Sequence, residues 1–230
     1  MKSNMQKMIT KIVTMGMLLM LGSCRTAETQ PFPSPTPFVA NIDAFTVGTM
    51  DDKGYSSAFF GFGIDLPKGC LYYIRSDIDK LNQIQTDPTD QDAYRKEIID
   101  RIKSGYAPYE YFAGNDLNGT SITIYGKDYS NNTAFSLTEY TVLDDQKGWL
   151  YDSNGDSQDD IGNLSLDVVD LLGVEHPIYR FDNLNDGYGN RGALLAIKQG
   201  TTFALILISG TDDNAINTIL AGYHAANTVS

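Results

Sequence analysis

The sequence predicts an α+β domain, a mainly antiparallel sheet with helices on both faces. Three observations carry that reading. The run Thr-Thr-Phe-Ala-Leu-Ile-Leu-Ile-Ser at 201–209 is apolar on both of its faces, so it belongs inside a sheet that is covered twice. Residues 88–104 place Tyr94, Ile98 and Ile102 four apart, and a segment starting at Thr211-Asp212-Asp213 places Ile216, Ile219, Leu220 and Tyr223 on one helical stripe. Between these lie short alternating segments separated by Gly, Pro, Asn and Asp, the pattern of strands joined by turns.

In chain order, residues 43–49 and 57–66 read as a first pair of strands, the second closed by Pro67-Lys68-Gly69. A helix over 77–85 follows, with Ile78, Leu81 and Ile84 on one side. The helix over 88–104 has Asp87 as its cap, Pro88 in its first turn and Gly105 as its stop. Strands are expected at 108–113 and at 120–126, where Ile122 and Ile124 alternate with polar neighbours. A short helix over 137–147 fits a capping box of Ser136 and Glu139. Strands resume at 164–171, 175–182, 190–198 and 201–209, with Gly200 turning the last pair, and the acids at 212 and 213 suit the positive end of the final helix.

Ahead of the domain, Lys2, Lys7 and Lys11 precede an apolar stretch from Ile12 to Leu21, and no acid occurs before Glu28. This ten-residue stretch is half of the roughly 20 that cross a bilayer, so residues 1–23 read as a secretory signal. Its end, Leu21-Gly22-Ser23-Cys24, resembles the bacterial lipobox. That resemblance implies lipid attachment at Cys24 and cleavage before it, and so a palmitate-type anchor holding the protein on the outer side of a cell membrane or at the cell surface. Residues 24–40, with prolines at 31, 33, 35 and 37, read as a tether, and residues 41–230 as one globular domain.

Within that domain, Phe62-Gly63-Ile64-Asp65-Leu66-Pro67-Lys68-Gly69-Cys70 resembles the opening of PsbP-like proteins, and Leu172-Gly173-Val174-Glu175-His176-Pro177-Ile178-Tyr179 resembles a strand start found in them. Cys70 stands where those proteins usually carry an aromatic. The resemblance implies a layered sandwich with a six- to seven-stranded antiparallel sheet and a usually non-catalytic accessory role. It transfers no functional residue, and fold alone does not license function.

Composition narrows the function classes. The 230 residues carry 17 Lys plus Arg against 29 Asp plus Glu, a net charge of -12, which repels a phosphate backbone and disfavours nucleic acid. Loss of residues 1–23 would remove three lysines and no acid, so an anchor has to be lipid rather than electrostatic. Two cysteines give no disulfide scaffold, and two histidines leave little for zinc. No nucleophile elbow and no phosphate loop occurs. Serines are plentiful, with His176 and His224 as the bases of the right kind, and Cys70 with His176 could be imagined as a nucleophile–base pair, but a lone cysteine is more often a small buried hydrophobe. The reading is therefore not an enzyme.

Two binding chemistries remain. Asp152, Asn154, Asp156 and Asp160 alternate oxygen ligands as the start of a calcium loop does, but Ser157 stands at the glycine position and Asn163 at that of the closing acid. Fourteen tyrosines are present, many of them between 106 and 151 alongside Trp149. Tyr109 and Tyr111 are expected to share one strand face and, with Trp149, to form a surface for a glycan or a protein, since tyrosine supplies contact area and a hydroxyl at low entropy cost. The bland alternative is that these rings roof the sheet beneath its helices.

Overall fold

The structure, a computed structural model, describes residues 42–131, 137–152, 160–184 and 189–226. After a 3-10 turn at Ile42–Ala44 come β1 (Thr49–Asp51), β2 (Gly54–Ser57), β3 (Phe62–Asp65), β4 (Leu71–Tyr72), α1 (Arg75–Leu81) and α2 (Gln91–Lys103). Then follow β5 (Tyr109–Asn115), β6 (Thr120–Asp128), α3 (Glu139–Tyr151), β7 (Ile161–Leu171), β8 (Val174–Asn183), β9 (Arg191–Gln199), β10 (Thr202–Gly210), α4 (Asp213–Leu220) and β11 (Tyr223–Ala225). The strands make a seven-stranded antiparallel sheet of order β4-β5-β6-β10-β9-β8-β7 and a four-stranded one of order β1-β2-β3-β11.

β10 shows why the large sheet is covered twice. Ala204, Ile206 and Ile208 enter one core; Phe203 and Leu205 enter the other. The first core is closed by Ile98 and Ile102 of α2, Ile216 and Ile219 of α4, and Tyr55, Phe62 and Ile64 of the small sheet. The second is closed by Val142, Leu143 and Leu150 of α3. Period-two alternation thus feeds two layers, and each large aliphatic buried this way contributes roughly 1.5–3 kcal/mol.

The second sheet corrects the expectation of a single one. Its strands are three or four residues long and include glycine and acids, so they carry too few alternating positions to read as strands. Residues 43–48 are a 3-10 turn and its exit, with β1 starting only at Thr49, and 57–66 divide between the end of β2, a turn, and β3. Tyr223 leaves the helical stripe for β11, yet its ring still stacks on Phe62 at 5.0 Å.

Helix ends shift for identifiable reasons. α2 starts three residues later than expected because Asp87 accepts from both the N–H and the hydroxyl of Thr89, closing a turn, while Asp90 accepts from the Ala93 N–H and caps the helix. Gly105 at φ 87° ends it as foreseen. α3 is capped by Thr138, which accepts from the Thr141 N–H while Thr141 Oγ1 accepts from the Thr138 N–H. Glu139 reaches instead to the Lys198 N–H at 3.0 Å and His176 Nδ1 at 2.9 Å. Asp90→Ala is expected to lower stability by about 1 kcal/mol in urea unfolding; a loss seen only with Asp87→Ala would return the cap to Asp87.

Candidate functional site

α3 packs over β8 and β9, so the same face of β5 and β6 becomes the floor of a groove. Tyr109 and Tyr125 are cross-strand partners on that floor, their ring centroids 4.8 Å apart and inclined at 47°. Trp149, from the last turn of α3, meets Tyr125 edge-on at 6.2 Å and 80° and is 40% exposed. The groove has two lobes that share these three rings. One, about 560 Å³, runs toward Tyr106 and Leu205. The other, about 310 Å³, runs toward Thr123, Phe181 and Ser209. Both volumes lie in the range of small-molecule sites.

The wall of the larger lobe is a tied polar cluster. Tyr129 donates to Asp145 Oδ2 at 2.9 Å, Gln146 Nε2 donates to the Tyr129 hydroxyl and to Asp145 Oδ2, each at 2.9 Å, and Lys127 lies 3.7 Å from the same oxygen and 5.1 Å over the Tyr129 ring. Burial, followed by the charge of Asp145, raises the Tyr129 hydroxyl pKa far above its usual value, so it remains a proton donor.

Tyr111 does not belong to this site. β5 advances two residues, Tyr109 to Tyr111, while β6 advances one, Tyr125 to Ile124. The extra residue, Glu110, is a bulge, and after it Tyr111 faces the opposite core, where it is fully buried 5.5 Å from Tyr55. The expectation that Tyr109 and Tyr111 share a strand face is corrected on that ground. Glu110 lies on Tyr111's side, accepting from the Gly48 N–H at 3.0 Å and the Tyr55 hydroxyl at 3.4 Å, and so ties the small sheet to the large one. Arg75 donates to the backbone oxygens of Gly48 and Glu110, and Tyr94 donates to Asp79 at 2.6 Å. Burial raises the pKa of both carboxyls, Glu110 and Asp79, with Arg75 opposing it.

The remaining candidates fall as follows. Cys24, Asn154 and Asp156 lie outside the described residues. Asp152 and Asp160 stand at the two ends of their loop, where the Asp160 N–H donates to Tyr151 O at 2.8 Å; Asp160 is 4% exposed and lines the smaller lobe. Among the described residues no three His, Cys, Asp or Glu side chains cluster as a metal site. Cys70 is buried beside β4, at one end of the large sheet, and burial pushes its thiol up. His176 is on β8, four strands beyond β5, so the two are not a pair. Reasoning from sequence passed over Tyr125 as a partner of Tyr109 and missed Lys127, Asp145 and Gln146. The cross-strand register of β5 and β6 would have found Tyr125, but the bulge conceals it.

No protein-family model and no curated protein sequence matches the chain. Among solved structures, that of cyanobacterial PsbP (CyanoP) from Synechocystis sp. PCC 6803, determined in solution, is similar over 80% of this chain and 99% of that one, with 10% sequence identity and a TM-score of 0.43. The α+β class of this chain rests on its own strand pairings, two antiparallel sheets with helices on both faces of the larger.

Proposed function

We propose that this chain is a lipid-anchored extracytoplasmic protein whose α+β domain is a non-catalytic binding module. The observation that carries the reading is the aromatic groove on the half of the sheet beside α3, where Tyr109, Tyr125 and Trp149 present ring surface to solvent. Residues of this kind, packed and partly exposed, are what binding surfaces use as anchors. Among the described residues, the two carboxyls whose pKa is raised, the usual mark of a general acid, sit on the other side of the sheet, away from the groove. The anchor rests on Leu21-Gly22-Ser23-Cys24 and the basic, apolar leader before it.

Both halves are testable in one strain. Trp149 is the sole tryptophan, so its emission reports on the groove alone. Membrane fractions of the native host should contain the wild-type protein labelled by palmitate, and Cys24→Ala should leave it unlabelled. Glycan and peptide fractions of the surrounding envelope, added to the purified chain, should include at least one that shifts Trp149 emission saturably. An unlabelled wild type would end the anchor reading, and an emission indifferent to every fraction would end the binding reading.

A further inference from the structure

Building on the binding-module reading, we infer that the groove takes a neutral oligosaccharide. The floor favours it first. Tyr109, Tyr125 and Trp149 are inclined to one another by 47° and 80°, so no two neighbouring rings offer parallel faces to one flat aromatic ligand. Successive pyranose rings, rotated about their linkages, can each lay an apolar C–H face on a differently tilted ring.

The backbone favours it second. An extended peptide bound by strand addition needs an open sheet edge to hydrogen-bond its main chain. Here β6, which carries Tyr125, lies in the sheet's interior, and at Tyr109 the outer edge of β5 is closed by Asn82, whose side chain accepts from the Tyr109 N–H and donates to the Tyr109 carbonyl oxygen, each at 2.7 Å. β6 is paired on one side with β5 from Tyr109↔Tyr125 to Asn115↔Thr120, and on the other with β10 from Thr202↔Asp128 to Ser209↔Ser121. The polar contacts a ligand can make are therefore with side chains, such as the carboxylate, amide, ammonium and hydroxyl groups of the walls, which match a ligand dense in hydroxyls.

Charge favours it third and specifies neutrality. The charged residues lining the larger lobe are Lys127 and Asp145, 3.7 Å apart and opposite in sign. A chain of net charge -12 gives an anionic sugar no compensating attraction. The two lobes meeting at shared rings fit a chain of more than one sugar.

The test titrates the full chain with cellohexaose, xylohexaose, mannohexaose, maltohexaose and chitohexaose, with tetragalacturonate as the anionic probe and a proline-rich decapeptide as the peptide probe, reading Trp149 emission. At least one neutral hexasaccharide is expected to shift emission saturably, while tetragalacturonate does not. Tyr109→Ala should weaken that binding about ten-fold or more with the melting temperature retained. Tyr106→Ala, a change at a residue 37% exposed, keeps the test open should the first variant unfold, and should also weaken binding. A response to the peptide or to tetragalacturonate, with none to the neutral sugars, overturns the oligosaccharide and leaves the binding module standing. Silence with every defined probe and every envelope fraction overturns both.

Discussion

Gly192→Ala is expected to lower stability by about 3 kcal/mol and to close the smaller lobe of the groove. Gly192, on β9, is the cross-strand partner of Phe181 on β8, and the Phe181 ring lies across it. A Cβ at Gly192 would stand 2.1 Å from Phe181 Cε2 and 2.5 Å from Cζ, so the ring has to move. Phe181 is 2% exposed in the core beneath α3 and also lines the lobe toward Ser209. Core neighbours resist displacement because interiors are close-packed, and the lobe is the space the ring already borders. Loss of the ring's packing and filling of the lobe are one event. Phe181→Ala alone should cost about 3–5 kcal/mol, and the double variant should cost clearly less than the two single changes added, since the clash vanishes with the ring. Urea midpoints of the four proteins measure this. Strict additivity would mean that the methyl group is accommodated elsewhere.

What could be read from residues alone follows the length of the repeating pattern. β10 is a nine-residue strand apolar on both faces and α2 thirteen residues at helical spacing, so both were recoverable, as was the layered class they imply. The small sheet was not. Its β1 exposes two of its three residues, so nothing in it distinguishes strand from loop. Capping was half legible for a similar reason: Asp87 and Asp90 are equally good caps, and only the competing turn with Thr89 decides between them.

The groove was visible as a material but not as a shape. A crowd of tyrosines around Trp149 was apparent, yet the structure divides it. Tyr111 and Tyr129 are buried, Tyr109 and Tyr125 are half-buried on the floor, and Trp149 is exposed. That division depends on one backbone irregularity, the bulge at Glu110. Strict alternation places Tyr109 with Tyr111, whereas the bulge places Glu110 with Tyr111 and leaves Tyr109 on the groove side with Phe112. The sequence conceals this, because Tyr-Glu-Tyr alternates as an ordinary strand with its charge outward does, whereas Glu110 is 1% exposed.

That buried carboxyl makes the second large prediction: Glu110→Gln should remove a pH dependence from stability. Burial raises the Glu110 pKa, and the charge of Arg75 with the hydrogen bonds from Gly48 and Tyr55 offsets this only in part. In the unfolded chain the group titrates near about 4.3. A carboxyl that holds its proton more tightly when folded contributes fully below that value. The contribution falls as the pH rises through the folded-state pKa, and above it the buried charge is a constant burden. Glutamine keeps an acceptor for the Gly48 N–H and carries no charge. The two proteins should therefore be closest in stability near pH 4, and the variant should gain on the wild type by about 1 kcal/mol or more by pH 8. Asp79, raised by burial in the same sense, is present in both proteins, and its charge adds to the rise at Glu110 that the variant removes. Glu110→Ala separates charge from hydrogen bonding: it should be destabilised by about 1–3 kcal/mol at pH 4, where the Gly48 N–H loses its acceptor and no charge is relieved. Urea midpoints measured from pH 4 to pH 8 decide it, and parallel curves for wild type and Glu110→Gln would show that Arg75 already neutralises the site.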